Sequence, residues 1–496
     1  MDKSSYPSWT LITKCAHNTF GVQQFREGQK SLIEAAIKGR DCIGLMPTGS
    51  GKSLCFQLPA LFLPYATVVV SPLISLMLDQ ETKLAEQGVS VANLNSSIAA
   101  AAVRKAYKQI AAGEIKLIYV TPERLEDEAF IRVLQAARVS LLVIDEAHCI
   151  SQWGHDFRPA YLNISATADL LDNPPVMALT ATATDDIVAD ISKQLRLRDP
   201  VLVRLGIDRP NLAFKVIATV SEKIKQEKLL DFLQHHRQQG VGLVYTSTIK
   251  CAETLHAFIC EHGFKCAIYH GRLSRKEREL AQEAFMSGRV DLVIATKAFG
   301  MGIDKPDVRF VIHYQYPDSI ESYVQEAGRA GRDGKDSEAV IFYQLEDHRV
   351  QAFFLGGKYP SRDQAQSLYE CLRDGDAKGA SLKMLKEATG IPINKVKVIL
   401  SYLEGAGAVE KKVRYRLKQY LQDYQQLDEF LAAYEERHMS DRERLSQIES
   451  FCQSPGCRSQ YLRRYFGEQQ DAGVCGRCDN CQVDEGSNLA KLAEIA

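Results

Sequence analysis

The stretch MPTGSGKS, residues 46–53, lies between an apolar run, DCIGL, and an apolar sequence that begins with LCFQLPAL. A strand, a glycine-rich loop and the first turn of a helix, in this order, bring backbone N–H groups and a helix N-terminus to phosphate oxygens. The usual pattern has glycine where this chain has Met46, at the start of the loop and away from its crowded part. We therefore predict a phosphate-binding loop, against the alternative of a glycine-rich turn without a ligand.

The residues of this loop have separate predicted roles. Gly49 and Gly51 permit close approach of the backbone, and Lys52 can bridge the β- and γ-phosphates of a nucleotide. The Ser53 hydroxyl can bind Mg²⁺. The predicted nucleotide contacts in the loop are Thr48, Gly49, Ser50, Gly51, Lys52 and Ser53.

Short β-branched runs alternate with helical patterns on both sides of a boundary at IDRPN, residues 207–211. Before the boundary lie DCIGL, TVVVS, IKLIYVT, SLLVID and PVMALT, and after it lie VGLVYTS, KCAIYH, VDLVIAT, VRFVIHY and SEAVIFY. Such alternation indicates parallel sheets that are covered by helices. We predict two α/β domains in tandem, over residues 1–207 and 208–350.

An acidic pair ends the strand pattern SLLVID. Asp145 would bind Mg²⁺ through water, and Glu146 would polarise the attacking water in a phosphoryl transfer. A solvated surface pair is the ordinary alternative, but this pair ends an apolar run in the same domain as the phosphate loop. We therefore predict that both carboxylates are catalytic.

Two arginines in ESYVQEAGRAGRDG, residues 321–334, are candidates for contact with the γ-phosphate. Arg329 and Arg332 are three residues apart, so on a helix they would share a face. Because they belong to the second domain, they would reach the nucleotide from across a cleft, as arginine fingers do. Hydrolysis would then be coupled to movement of the domains. The predicted catalytic set is Lys52, Asp145, Glu146, Arg329 and Arg332.

The chain changes character after about residue 350. Two apolar-periodic helices, separated by Gly390 to Pro392, and a short hairpin predict a winged helix over residues 360–420. A charged amphipathic helix and a cysteine-rich segment follow over residues 421–484, and residues 485–496 form a polar tail. A basic cluster lies at the hairpin, for which phosphate contact and a solvated surface are both open interpretations; its members are Lys411, Lys412, Arg414, Arg416 and Lys418.

Four of the thirteen cysteines have metal-ligand spacing. Seventeen residues separate Cys457 from Cys475, and two overlapping C-x-x-C steps lead through Cys478 to Cys481. Thiolates at this spacing can surround Zn²⁺ tetrahedrally, and a closed site of four thiolates has a structural role. Cys452 is a fifth candidate ligand, and redox-active dithiols are the alternative interpretation.

The stretch QWGHDFR, just beyond the acidic pair, combines aromatic and cationic residues. Aromatic rings beside a cation suit stacking on the bases of a single strand, at about 1–3 kcal/mol per base. A core aromatic pair is the alternative, but the interleaved polar residues favour an exposed loop. The predicted contacts with single-stranded DNA are Trp153, His155, Phe157 and Arg158.

The composition is that of an ordinary globular chain, with 496 residues, of which 45% are hydrophobic and 25% charged. The formal net charge of −1 argues against a protein coated with basic patches, so nucleic-acid contacts are expected to be local. The N-terminus lacks the apolar stretch of a signal peptide. The uncharged segment 53–78 is interrupted by three prolines, so we expect no membrane span and a cytoplasmic protein, associated with the nucleoid if it is bacterial.

Taken together, these stretches resemble the ordered motifs of superfamily 2 helicases, and specifically those of the RecQ family of DNA helicases. The resemblance covers about residues 15–350 and rests on FREGQ, MPTGSGKS, SPLISLMLDQ, TPERL, DEAHCISQWGHDFRP, ALTATA, AFGMGIDKPDVR and QEAGRAGRDG. Combined with the patterns above, it implies an α/β fold with two tandem RecA-like parallel-sheet domains, a small winged-helix domain and a helical zinc-binding module. It also implies unwinding of DNA in the 3′-to-5′ direction, driven by ATP and Mg²⁺, in recombination and repair.

The resemblance carries over to particular residues. FREGQ recognises adenine in the family, which points to Arg26 and Gln29, whereas Val22 occupies a position where some relatives have an aromatic ring. The first zinc ligand precedes a basic helix and YFGE in the family, which favours Cys457 over Cys452. The winged helix follows the zinc module in the family pattern, whereas the candidate here precedes it.

The implied cofactors are ATP, Zn²⁺ and Mg²⁺, the last held by Ser53 and Asp145. The implied partners are single-stranded and partly duplex DNA, with single-strand-binding or recombination proteins as candidate protein partners. Two other functions stay open at this point: a DEAH-type RNA helicase, and a DNA-stimulated ATPase that acts as a switch without strand separation.

Overall fold

The computed structural model describes residues 6–95, 98–151, 158–237, 239–299, 305–358, 360–375, 379–405, 407–411, 414–418, 425–468 and 473–482. The chain divides into two compact units. The first comprises Met1–Tyr316, Ile320–Tyr343 and Phe451–Ala496, and the second comprises Pro317–Ser319 and Gln344–Ser450.

A parallel sheet of seven strands forms the N-terminal part of the first unit. Its strands are β1 (Cys42–Leu45), β2 (Ala66–Val70), β3 (Val91–Leu94), β4 (Leu117–Val120), β5 (Val139–Asp145), β6 (Val176–Thr180) and β7 (Val201–Arg204). They lie in the order β3-β4-β2-β5-β6-β1-β7. The helices of this part are α1 (Trp9–Phe20), α2 (Gln29–Ile37), α3 (Leu54–Ala60), α4 (Ile74–Glu86), α5 (Ala100–Ala111), α6 (Glu128–Ala137), α7 (Ile164–Leu170) and α8 (Asp185–Gln194).

This sheet is covered on both faces. β1, β2, β4 and β6 are buried at every position, as in parallel sheets that carry helices on both sides. Because side chains alternate along a strand, Val68 and Val70 pack into one apolar core while Val69 packs into the other. The continuous apolar runs in the sequence are therefore explained by burial on two sides.

A second parallel sheet follows in the same unit. Its strands are β8 (Leu212–Ala218), β9 (Val241–Tyr245), β10 (Cys266–Tyr269), β11 (Leu292–Ala295), β12 (Val308–His313) and β13 (Ser337–Tyr343). Their order is β10-β11-β9-β12-β13-β8. The accompanying helices are α9 (Glu222–His236), α10 (Ile249–Glu261), α11 (Arg275–Met286) and α12 (Ile320–Ala327).

The structure confirms the predicted α/β class, and each apolar run quoted above contains an observed strand. Three strands were not predicted, namely β3 (VANL), β7 (VLVR) and β8 (LAFKVIA). β3 is short and carries Asn93, whereas β7 and β8 are partly exposed and include charged residues. Their sequences lack the uninterrupted apolar character of the inner strands, which explains why they were missed.

The second unit contains helices, a hairpin and most of a long helix. Its elements are α13 (Asp347–Lys358), α14 (Arg362–Arg373), α15 (Leu382–Thr389), α16 (Ile393–Gly405), β14 (Val409–Lys411), β15 (Tyr415–Leu417) and α17 (Gln425–Gln453), whose last residues belong to the first unit. β14 and β15 pair antiparallel, and Ala380 bridges to Tyr415. Helices α14, α15 and α16 and the small antiparallel hairpin share one apolar core, and the assignment of this part as a winged helix stays a prediction. Gly390 ends α15 in the left-handed conformation that favours glycine, at a φ of 68°.

The last element of the first unit is α18 (Arg458–Tyr465), within the cysteine-rich segment. Across the described parts of the chain, no helix combines the length and the apolar character needed to span a bilayer.

Candidate active site and zinc centre

A cavity of about 810 Å³ in the first unit has walls that come from both α/β halves. One half contributes the glycine-rich loop after β1 and the acidic pair at the end of β5, and the other contributes the segment after α12. The predicted site residues in its wall are Arg26, Gln29, Thr48, Gly49, Gly51, Lys52, Ser53, Asp145, Glu146, Arg329 and Arg332. The cavity thus brings together almost all of the predicted nucleotide and catalytic residues.

The glycine-rich loop has the backbone that its sequence requires. Gly49 and Gly51 have φ values of 84° and 81°, which side-chain-bearing residues rarely adopt. Lys52 donates from Nζ to Met46 O at 3.0 Å, so the side chain folds back over the loop. Ser53 precedes α3 and its hydroxyl makes no capping bond, which leaves it available for a ligand. Ser50 does not line the cavity, and its buried Oγ finds no hydrogen-bond partner among the described residues.

The residues of FREGQ contact the same loop from the side of α2. Gln29 is 3% exposed and donates from Nε2 to Ser50 O at 3.3 Å and to Gly51 O at 3.0 Å. Arg26 donates from Nη1 to Gly49 O. A Cβ built on Gly51 would lie 2.6 Å from Gln29 Nε2, so only glycine fits beside this amide.

Val22 lines the cavity, and so does Phe20, which the sequence interpretation missed. Phe20 is half-buried at the end of α1, five residues before FREGQ. Its closeness to that motif is the signal that could have found it. An aromatic ring is therefore available at the cavity wall although position 22 is valine.

The acidic pair lies at the end of a buried strand. Ser71 donates from Oγ to Asp145 Oδ2 at 3.1 Å, and the Tyr161 hydroxyl donates to Asp145 O, also at 3.1 Å. Burial raises the pKa of Asp145, and the positive charge of Lys52 opposes that rise. The two side chains are therefore electrostatically linked across the floor of the cavity.

Glu146 has an unusual backbone conformation that turns the chain sharply after β5. Its φ and ψ are 49° and 48°, a left-handed conformation that is uncommon outside glycine and frequent at functional sites. Its Oε2 lies 3.4 Å from Nδ1 of the buried His148, and this ring nitrogen lies 2.9 Å from Thr180 Oγ1. Thr180 belongs to ALTATA, so an imidazole lies between the acid and a second motif.

Arg329 and Arg332 are not on a helix, and the expectation that they share a helical face is wrong. α12 ends at Ala327, and both arginines lie in the turns that follow it. Gly331, with a φ of 60°, redirects the chain and donates its N–H to Val308 O at 2.8 Å. Both side chains nevertheless reach the cavity, and a Cβ built on Gly49 would lie 3.5 Å from Arg332 Cγ. The stem of Arg332 therefore lies against the phosphate loop of the other half.

Three of the four predicted DNA contacts, Trp153, His155 and Phe157, lie outside the described residues. Arg158 is described, is half-buried, and donates from Nη1 to Pro72 O at 3.4 Å. The adjacent Ser71 is the residue that donates to Asp145. Arg158, at the C-terminal end of the QWGHDFR stretch, is thus connected through Pro72 and Ser71 to Asp145, a predicted magnesium ligand.

The four predicted zinc ligands lie together. The sulfur atoms of Cys457, Cys475, Cys478 and Cys481 are within 4.8 Å of one another. Cys452 is buried at the end of α17 and does not belong to this group. The geometry brings together the four cysteines that the sequence favoured and leaves out the fifth.

Backbone N–H groups point at these sulfur atoms, as thiolate ligands require. Cys475 N lies 3.3 Å from Cys457 Sγ, and Cys478 N lies 3.4 Å from Cys475 Sγ. Burial alone would raise the pKa of the Cys475 thiol, but backbone N–H groups, led by that of Arg477, hold it at about 6. The site fits tetrahedral Zn²⁺ by ligand number and type.

The basic hairpin gives a divided picture. Arg414 and Lys418 are exposed, whereas Arg416 Nε lies 3.8 Å from Glu410 Oε1. The side chain of Lys411 and the whole of Lys412 lie outside the described part of the chain. Contact between this basic hairpin and phosphate groups stays a prediction.

Three family models match the chain in order. The DEAD/DEAH box helicase model matches residues 26–191, the helicase conserved C-terminal domain matches residues 224–334, and the RecQ zinc-binding model matches residues 421–482. The first two cover the halves that form the cavity, and the third ends just beyond Cys481.

Two whole proteins of Bacillus subtilis, both named as DNA helicases, are similar to this chain. The ATP-dependent DNA helicase RecQ of Bacillus subtilis (strain 168) is 36% identical over 466 residues, which are 93% of this chain and 65% of that protein. The probable ATP-dependent DNA helicase RecS of the same organism is 33% identical over 488 residues, which are 96% of this chain and 92% of that protein. This chain therefore spans less than two thirds of the first relative and nearly the whole of the second.

A solved structure supports the fold. The structure of the Mycobacterium smegmatis helicase Lhr, bound to single-stranded DNA and AMP-PNP, aligns with a TM-score of 0.54 at 20% identity, over 81% of this chain and 59% of that one. The ordered domain matches and the near-complete match to RecS agree with the motifs that line the cavity. This chain belongs to the RecQ family of superfamily 2 ATP-dependent DNA helicases.

Proposed function

We propose that this chain is an ATP-dependent 3′-to-5′ DNA helicase that couples ATP hydrolysis to translocation on single-stranded DNA and to duplex unwinding, in recombination and repair. The cavity carries this proposal, because its wall combines a phosphate loop and two carboxylates from one sheet with two arginines from the other. Its volume of about 810 Å³ suits a ligand of nucleotide size.

The residues of the first sheet would bind the nucleotide and prepare the water. Backbone N–H groups of the loop and Lys52 would hold the phosphates, and Ser53 and Asp145 would hold Mg²⁺, which neutralises charge on the phosphate oxygens. Glu146, whose Oε2 lies 3.4 Å from His148 Nδ1, would accept a proton from the attacking water.

The arginines of the second sheet would sense the γ-phosphate. Arg329 and Arg332 would stabilise the charge that develops during phosphoryl transfer. Because they come from the other side of the cavity, cleavage of the γ-phosphate removes an interaction that links the two halves. Cycles of closure and opening would then move the protein along one strand.

Single-stranded DNA would bind to the QWGHDFR stretch, which follows Asp145 and Glu146 in the sequence. Trp153, His155, Phe157 and Arg158 are the proposed contacts with the single strand, by stacking and charge. The contact of Arg158 with Pro72, and that of Ser71 with Asp145, support a short route from this loop to the magnesium site.

Adenine would be recognised by hydrogen bonds from Arg26 and Gln29. Phe20 would offer the apolar surface that an aromatic residue at position 22 provides in some relatives. The four cysteines would hold structural Zn²⁺, because a site closed by four thiolates leaves no position for a substrate.

The decisive experiment is strand displacement on a duplex with a 3′ single-stranded tail. We expect unwinding by the wild type with ATP and Mg²⁺, and none above background for Lys52→Ala, which should still bind DNA. The matched control is Lys223→Ala, on the helix that follows β8, with a side chain that is 85% exposed; it should unwind normally.

Three results would redirect the proposal. Unwinding only from a 5′ tail would contradict the polarity. A preference for RNA duplexes would favour a DEAH-type RNA helicase. DNA-stimulated ATP turnover without any strand displacement would favour an ATPase switch.

A further inference from the structure

We infer that the zinc module sets the position of the arginine turn, residues 328–332, and that Arg477 is a positioning residue for ATP hydrolysis. Arg477 would act through Arg209 in the linker between the two sheets, which we define as residues 205–211. This inference rests on the proposed function, because it assigns a regulator to the same arginines.

The first step is the contact between the zinc module and the linker. Arg477 lies between the ligands Cys475 and Cys478. Its guanidinium donates from Nη2 to Arg209 O at 3.0 Å and from Nη1 to Pro210 O, and Nη2 lies 3.6 Å from Asp208 Oδ1. One planar guanidinium thus contacts three successive linker residues. A lysine could not do this, because its ammonium is a compact point charge without the flat, forked set of donors.

The second step is the contact between the linker and the arginine turn. Arg209 donates from Nη1 to Gly328 O at 2.8 Å and from Nη2 to Gly331 O at 2.6 Å. Each of these carbonyls belongs to the residue just before Arg329 or Arg332. A shift of Arg209 would therefore change the direction in which both cavity arginines leave the backbone.

The electrostatics of Arg209 favour a positioning role. Burial and the nearby positive charge of Arg332 lower the pKa of Arg209 to about 10, so it stays protonated at neutral pH. A buried cation beside another cation is unfavourable unless its hydrogen bonds are satisfied. Arg209 satisfies them with the two carbonyls of the arginine turn, and its own carbonyl is held by Arg477.

A second contact joins the zinc module to α12, the helix that leads into the arginine turn. The Tyr465 hydroxyl, at the end of α18, donates to Glu321 Oε1 at 2.8 Å. Glu321 is buried in α12, the helix that leads into the arginine turn. The zinc module therefore contacts both the helix before the turn and the linker that binds it.

The test is steady-state ATP hydrolysis with saturating single-stranded DNA. For Arg477→Ala we expect kcat to fall roughly 10- to 100-fold, since small displacements of a catalytic group have effects of this size. KM for ATP and the bound zinc should not change. Arg477→Lys keeps the charge near Asp208 but not the double contact, so it should recover part of kcat. Arg464→Ala removes an exposed arginine of the same module and should match the wild type.

A double variant tests the route. If Arg477 acts through Arg209, then Arg209→Ala combined with Arg477→Ala should be no slower than Arg209→Ala alone. Additive losses would overturn the proposed route, and an unchanged kcat in Arg477→Ala or a loss explained by missing zinc would overturn the positioning role. If Arg477→Ala does not fold, Arg477→Lys must show reduced kcat with zinc retained, or the inference fails. A wild type without ATP turnover would instead refute the proposed function itself.

Discussion

The two parallel sheets of the first unit share one topology but differ in their chemistry. Six strands of the first lie in the order β3-β4-β2-β5-β6-β1, and the second has β10-β11-β9-β12-β13-β8, so β1 corresponds to β8 and β5 to β12. MPTGSGKS follows β1, whereas Thr219, Val220 and Ser221 follow β8. Asp145 ends β5 and Glu146 follows it, whereas His313 ends β12. Strand order alone therefore creates no site, because the loops at the strand ends supply the reactive groups.

The sheets also differ in how their corresponding strands are covered. β1 is fully buried between β6 and β7, whereas β8 is an edge strand with several partly exposed positions. The edge strand carries Lys215, which pairs with Glu338 at 2.7 Å, and the zinc-module helix α18 contacts β8. The second sheet thus borders an added module at β8, whereas the first sheet has an added strand beside β1.

The largest expected effect concerns the charge that the second sheet contributes. Arg332→Ala should lower kcat of ATP hydrolysis by roughly 10³- to 10⁵-fold, the range known for arginine fingers. Binding of ATP should change far less, because the phosphate loop is intact. Arg275→Ala, an exposed arginine in α11 of the same half, is the control and should be active. Unchanged hydrolysis in Arg332→Ala would mean that only the first sheet performs the chemistry.

The next effect concerns the acid at the end of β5. Glu146→Gln should lower kcat by roughly 10²- to 10⁴-fold, because general-base assistance is lost while the shape of the side chain is kept. Nucleotide affinity, measured by titration with a fluorescent ATP analogue, should stay near that of the wild type. Glu123→Gln, an exposed residue of the same half, should behave normally. If Glu146→Gln had the kcat of the wild type, Glu146 would not be the general base.

A third prediction tests the support of the edge strand. Cys478→Ser should release zinc, because one of four thiolates is lost and metal binding contributes directly to folding. Amide hydrogen exchange should then accelerate roughly tenfold in β8 but not in β1, because α18 packs against β8, whereas β1 lies inside the first sheet between β6 and β7. Cys260→Ser, at an exposed cysteine, should leave both strands protected. Equal acceleration in β1 and β8 would show that the module stabilises the whole unit and not the edge.

The smallest effect concerns the charges near β8. The Glu338 carboxylate, with Oε2 at 3.6 Å from Nε2 of the ring, raises the pKa of His236, so the folded state favours the protonated ring. This stabilisation is complete below the unfolded pKa of about 6.5 and is lost as the pH rises through the higher folded value. His236→Gln should therefore lower Tm near pH 6 and have less effect near pH 9, with at most about 1 kcal/mol involved. His235→Gln, at a neighbouring exposed position, is the control. If the difference in Tm between the wild type and His236→Gln grew as the pH rose, the stabilisation would not come from the protonated ring.

Much of the site was predictable because its signals are local. The loop around Lys52, the acids after SLLVID and the cysteine spacing each occupy a few consecutive residues with a defined chemistry. Phe20 was missed because an aromatic residue at a helix end carries no motif of its own, and only its closeness to FREGQ points to it. The helical expectation for Arg329 and Arg332 failed because Gly328 and Gly331 favour turns, a signal that the three-residue spacing does not include.

The sequence by itself determined the two α/β halves, the phosphate loop and the set of four cysteines, since strand burial and ligand spacing are written into short segments. Only the tertiary structure decided that Arg332 lies against Gly49 and that Arg477 meets the carbonyl of Arg209, 268 positions away along the chain. Such contacts depend on how whole sheets and modules pack, and packing sums many small contributions that no single stretch encodes.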